Sequence, residues 1–325
     1  MCMPVTTALL VLTALTASQA QKTPRLNPII KLLEQKQPVF GVYWPSNGGG
    51  RRGAEAPARP AIDLAKDALG YGGADFLFSG SMEGGVDRGL PAYTEFVKSL
   101  GEAAGPNKPP FFGLTRGIVV KTPKIAADPT KIADNISRQL NGGASGIMFV
   151  EVESADEVRQ GLAAMRFKSN GGVRPDDVGM APAVWGMNDK EYKQKADLWP
   201  LNPAGELINW TIVESKEGLA HVRDIAAVKG IGVLWPGAGT LRGVFSTTNA
   251  AGERVIDTAA HENAIQQVLA ACKEFHVPCG YPATAADIET RLQQGFSVFV
   301  MNWGDAGFKA VEVGRKAAGR PAASR

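Results

Sequence analysis

Histidine is scarce in this chain, with three in 325 residues. His221 falls inside an expected helix and His276 at a helix end, where both read as surface or capping residues. His261 opens a helix after a glycine-rich loop and can approach a site mouth. None directly follows an expected strand and no G-x-S-x-G turn is present, so Ser/His/Asp hydrolysis has little support. Cysteine is equally rare, at three residues. Cys272 and Cys279 are too few for a zinc set. Their spacing alone does not bring their Cα atoms together, so they read as two separate buried thiols. Neither sign of charge is in large excess: 35 basic and 32 acidic residues give a net charge of +3. Without a basic stripe interleaved with aromatics there is no case for nucleic acid as a partner. No G-x-G-x-x-G sits between an early strand and helix, and Gly48-Gly49-Gly50 lacks the spacing, so a dinucleotide fold is not announced.

What is present begins with an uncharged leader, MCMPVTTALLVLTALTASQA, with an apolar centre from Ala8 to Leu15 and a small-residue end at Ser18-Gln19-Ala20. It reads as a signal peptide over residues 1–20, cleaved after Ala20. The apolar run is too short to span a bilayer. The expectation is a periplasmic or secreted protein of residues 21–325, one domain, with no membrane contact in its mature form.

Beyond a lead-in helix over 21–37, the chain alternates short apolar runs, polar turns and helical stretches. Strands are expected at 38–43, 74–78, 110–114, 146–150, 207–213, 231–234, 277–281 and 297–301. Eight such units with nearly continuous apolar strands imply a parallel sheet covered by helices, an α/β (β/α)8 TIM barrel. An open doubly wound sheet is the second reading. Residues 168–203 and 236–256 are longer than usual connections and are expected to set substrate size.

In such a barrel the chemistry lies just after the strand C-termini. Four charged residues are expected there: Glu83, Arg116, Glu153 and Glu214. A guanidinium can hold a substrate carboxylate through two parallel hydrogen bonds, and carboxylates can hold a hard divalent ion. The same carboxylates have a plainer reading, because Glu153-Ser154 and Glu214-Ser215 repeat a V-E-S pattern at the start of a helix, where acids favour the dipole.

Several longer segments carry a resemblance: KQPVFGVYW, GGADFLFSGSMEGG, GASGIMFVEVESADEVRQGLAAMRF, INWTIVESKEGLAHVRDIAAVKGIGVLWPGAGTL and GYPATAADIETRLQQGFSVFVMNWGDAGF. Over roughly residues 36–318 the chain resembles the HpcH/HpaI aldolases, pyruvate-type aldolases on a TIM barrel. The resemblance implies a carbon–carbon lyase acting on a 2-keto acid or related carboxylate, with Mg²⁺ or Mn²⁺ as cofactor, in a homo-oligomer. It matches Glu214 to one metal ligand and Thr240 to the position of the second, an Asp in the family. It matches Arg116 to the keto-acid-binding Arg, Glu83 to the acid of a Glu-His-Gly turn whose His is Gly84 here, and Glu153 to a polar residue near substrate. Losing the Asp and the His leaves two other readings open. One is a barrel with metal-independent lyase or hydrolase chemistry using Glu83 and Glu153. The other is an exported protein that binds a small acid without turning it over.

Overall fold

The computed structural model describes residues 24–47, 58–105 and 116–321. The leader at 1–20 and the strand expected at 110–114 lie outside the described residues. Eight apolar runs form parallel strands: β1 Val39–Tyr43, β2 Phe76–Ser79, β3 Gly117–Thr122, β4 Gly146–Phe149, β5 Leu207–Val213, β6 Val233–Pro236, β7 Gly280–Pro282 and β8 Val298–Met301. Neighbours run β7–β8–β1–β2–β3–β4–β5–β6, and a two-residue strand, Leu198–Trp199, pairs in parallel beside the start of β5. Helices follow the strands and cover the outer face.

The strands are apolar almost throughout because both of their faces are buried. Phe76 and Phe78 of β2, Ile208, Trp210 and Ile212 of β5, and Val298 and Val300 of β8 point to one side and form an inner cluster. Alternate residues such as Leu77, Val213 and Phe299 pack under the helices. Ile29 and Ile30 of the helix Pro28–Glu34 join the inner cluster, so this lead-in helix lies against one end of the curl. Gly41 in β1 is required by packing: a Cβ there would lie 2.2 Å from the Phe76 ring.

The sheet curls until β6 approaches β7. Between them the pairing shrinks to one parallel bridge, Leu234 with Cys279, and one hydrogen bond, Leu234 N–H to Pro278 O at 2.9 Å. The architecture is therefore a curled, TIM-like parallel sheet with a seam one bridge wide, and no continuous ladder joins β6 to β7 among the described residues.

Two local expectations are corrected. Cys272 and Cys279 are not separate thiols but a disulfide, with Cα atoms 5.7 Å apart. The helix Thr258–Glu274 ends just before His276, whose φ of 57° turns the chain back on itself. The left-handed turn brings Cys279 beside Cys272, which spacing alone does not disclose. The segment 168–203, expected to set substrate size, does not reach the strand C-termini. It holds two short helices, Ala181–Trp185 and Asp189–Lys195, and returns through Leu198–Trp199 to the N-terminal end of β5. No described helix is long and apolar enough to cross a membrane.

Candidate active site

At the C-terminal ends of the strands lies a cavity of about 180 Å³ to which every strand or its following turn contributes. Phe78, Met148, Ile212 and Trp235 form an apolar floor. The polar groups come from three places: Tyr43 at the end of β1, Lys121 near the end of β3, and the pair Glu214 and Thr240 after β5 and β6.

Lys121 extends from a strand whose last turns are buried, and its side chain is 15% exposed. Its ammonium donates to both oxygens of Glu83, at 2.9 and 3.1 Å, so Glu83 aims the cation from the turn after β2. The Gln139 side-chain amide donates to the Lys121 carbonyl at 2.8 Å and fixes the backbone beneath it. A half-buried ion pair of this kind is worth less than its short distances suggest in stability, but it holds a cation in a defined direction.

Glu214 is 5% exposed. The Thr240 hydroxyl donates to its Oε2 at 2.6 Å and the Glu151 N–H to its Oε1 at 3.0 Å. Glu151 has φ 49°, in the left-handed region that a non-glycine residue rarely adopts. Gly237 closes the other side: a Cβ there would lie 2.3 Å from Glu214 Cβ and 2.8 Å from Oε2. The turn Gly237-Ala238-Gly239-Thr240 thus packs its backbone directly on the carboxylate. Tyr43 stands edge-on to Phe78, ring centroids 5.0 Å apart. Burial pushes the phenol's pKa up; Lys121 opposes this, and Glu83 and Glu214 add to it. The phenol is a proton donor at neutral pH.

Of the expected site residues, the structure brings Glu214 and Thr240 to the cavity and sets Glu83 beside it on Lys121. Glu153 is turned away. It accepts from Lys124 at 2.8 Å and from the Ser215 hydroxyl at 2.8 Å, partners that hold its carboxyl below the usual range. The V-E-S repeat is explained by its serines: Ser154 accepts from Glu157 N–H and Ser215 from Gly218 N–H, each capping a helix. Arg116 precedes β3 rather than following a strand. It lies at the opposite end from the cavity, donating to the carbonyls of Ala68 and Leu69. Burial lowers its pKa from the guanidinium's ordinary value. The residue that occupies the expected cationic place is Lys121. The third strand of the sheet is the run Gly117–Thr122, which sets Arg116 before it and Lys121 near its C-terminal end. Tyr43 closes its strand in the same way. Nothing in sequence signals the Glu151 N–H, which acts through a backbone angle.

The donor set is poor for a hard divalent ion. Such ions take six or more oxygens and draw affinity from carboxylate count. Among the described residues one carboxylate, Glu214, lines the cavity, and Thr240 is neutral. Among the described residues no three His, Cys, Asp or Glu gather as a metal set.

The sequence profile of the HpcH/HpaI aldolase/citrate lyase family matches residues 116–306. A hydroxypyruvate/pyruvate aldolase of Paraburkholderia phytofirmans is 28% identical over 219 residues, 66% of this chain and 69% of that protein. Among solved structures, an HpcH/HpaI aldolase/citrate lyase family protein of Burkholderia cenocepacia superposes with a TM-score of 0.61 at 22% identity, covering 84% of this chain and 91% of that one. Macrophomate synthase superposes with a TM-score of 0.57 at 17% identity, covering 85% and 82%. At these identities the two structures establish likeness of fold.

Proposed function

The chain belongs to the HpcH/HpaI aldolase/citrate lyase family, and on that premise we propose that it is an aldolase-type carbon–carbon lyase whose substrate is a short 2-oxo acid or its aldol. The observation that carries the reading is the facing of Lys121 and Glu214 across one cavity with an apolar floor. The name of the Paraburkholderia relative supports a pyruvate-like component.

In the cleavage direction the substrate carboxylate or 2-oxo oxygen faces the Lys121 ammonium. The proton of the 4-hydroxyl passes to a carboxylate, Glu214, the C3–C4 bond breaks, and its electron pair becomes the enolate of the 2-oxo acid. An aldehyde leaves. The enolate oxygen is stabilised by the Lys121 N–H, a fixed donor in a site with low-dielectric walls. The enolate carbon then takes a proton from the Tyr43 phenol that lines the cavity, and the proton held by Glu214 returns to the phenolate through solvent. Glu83 acts through Lys121, as a positioning residue. The same reading carries export through the leader at 1–20 and a homo-oligomeric protein.

Retro-aldol release of 2-oxo acid from a panel of 4-hydroxy-2-oxo acids tests this. Turnover by the wild type, with a deep loss in Lys121→Met, is the expected result. Binding of 2-oxo acids with no turnover of any panel member would replace the lyase with a small-acid-binding protein. One observation favours that second reading: among the described residues no histidine lines the cavity. The space beside Gly84 is taken by the Arg88 guanidinium, 2.2 Å from where a Cβ would sit.

A further inference from the structure

Among the described residues, the carboxylates of Glu214 and Glu83 at the cavity mouth already accept a hydrogen bond on each oxygen. Glu214 accepts from Thr240 Oγ1 and from the Glu151 N–H. Glu83 gives both oxygens to Lys121. The Glu214 side chain has little room to turn, because Gly237 packs on its Cβ. A divalent ion entering the cavity would meet one carboxylate, one hydroxyl and the Lys121 ammonium, which lines the same space. The ammonium, paired with Glu83, is no ligand for such an ion, and Thr240 adds no charge to that of Glu214.

We propose that this protein has exchanged the divalent ion of its family for an internal arrangement, in which Thr240 holds Glu214 as a metal-free carboxylate and Lys121 is the cation of the site. Residue 240 is the switch between the two states. Thr240 sits 26 positions after Glu214 and touches it directly, so a carboxylate placed there would share one ion with Glu214. The inference deepens the lyase reading, since it assigns the charge that faces the enolate, but the geometry behind it does not depend on turnover.

The test is titration of the full protein with Mn²⁺, followed by calorimetry and by the Mn²⁺ electron paramagnetic resonance signal. It is run on the wild type, on Glu214→Gln and on Thr240→Asp, with circular dichroism confirming that the variants fold. The wild type is expected to show no stoichiometric Mn²⁺ binding and to match Glu214→Gln. Thr240→Asp is expected to gain a single site at least about 100-fold tighter. One Mn²⁺ per wild-type chain, lost in Glu214→Gln, would overturn the proposal. A folded Thr240→Asp protein that binds no better than wild type would overturn the assignment to residue 240. Absence of retro-aldol turnover in any of these proteins bears on the lyase reading alone, because the metal titration is read independently of activity.

Discussion

Lys121 owes its direction to Glu83 and its depth to the buried strand that carries it. If the ammonium is the donor that faces a developing enolate, its removal costs transition-state stabilisation rather than folding. Lys121→Met is expected to lower kcat/KM by about 10²–10³-fold, the range of a lost oxyanion donor. Its thermal midpoint should stay close to that of the wild type, since exposed or half-exposed ion pairs contribute little. A fall in kcat with KM unchanged would mark an interaction made in the transition state; a fall in stability alone would return Lys121 to a structural role. At this scale the sequence was legible for Glu214, Thr240 and Glu83, whose positions relative to strand ends were right. It was not legible for Arg116, because the residue lies just before the apolar run Gly117–Thr122, and which end of a strand a flanking cation occupies depends on where that run begins.

Elements carry their own balance of forces. The segment 168–203 is long, yet it is tied to the rest of the fold by a buried carboxylate. Asp197 is 2% exposed and accepts from Arg166 at 2.6 and 3.0 Å, from Asn202 at 2.9 Å and from the Leu198 N–H at 2.9 Å. Burial pushes the Asp197 pKa up, but the Arg166 fork, Asn202 and the Leu198 N–H outweigh it, so the net shift is downward. A lowered folded pKa adds stability above the unfolded value of about 3.9, and that stability is lost as pH falls through the folded value. Asp197→Asn is therefore expected to cost about 3 kcal/mol at neutral pH. Urea denaturation should find the gap between the two proteins full at pH 7 and closing below about pH 4. A gap independent of pH would assign the loss to packing instead. That a long segment is expected to shape the substrate site follows from length alone. Its true placement depends on Asp197 and on the Leu198–Leu207 pairing, contacts that no local pattern announces.

For the whole molecule, periodicity disclosed the succession of strands and helices, since a strand buried on both faces must be apolar throughout. It did not disclose the seam, which depends on how far the sheet curls. There the Leu234–Cys279 bridge is flanked by the Cys272–Cys279 disulfide, which anchors the start of β7 to the helix Thr258–Glu274. In the chain-entropy account a crosslink over so short a loop adds about 2–3 kcal/mol. Cys279→Ser, or reduction of the wild type, should lower the unfolding free energy by that amount in equilibrium denaturation. Equal stability with and without reductant would mean the seam is held by packing alone. The stacked indoles of Trp210 and Trp235, 5.4 Å apart and within 11° of parallel, lie directly beneath the cavity, with Trp235 in its floor. Two aromatic chromophores so close and so rigid couple their transitions, which makes the pair a built-in optical gauge. A 2-oxo acid settling on Trp235 should alter the near-ultraviolet dichroism and quench indole emission, so occupancy of this site can be followed without label, coupled enzyme or turnover.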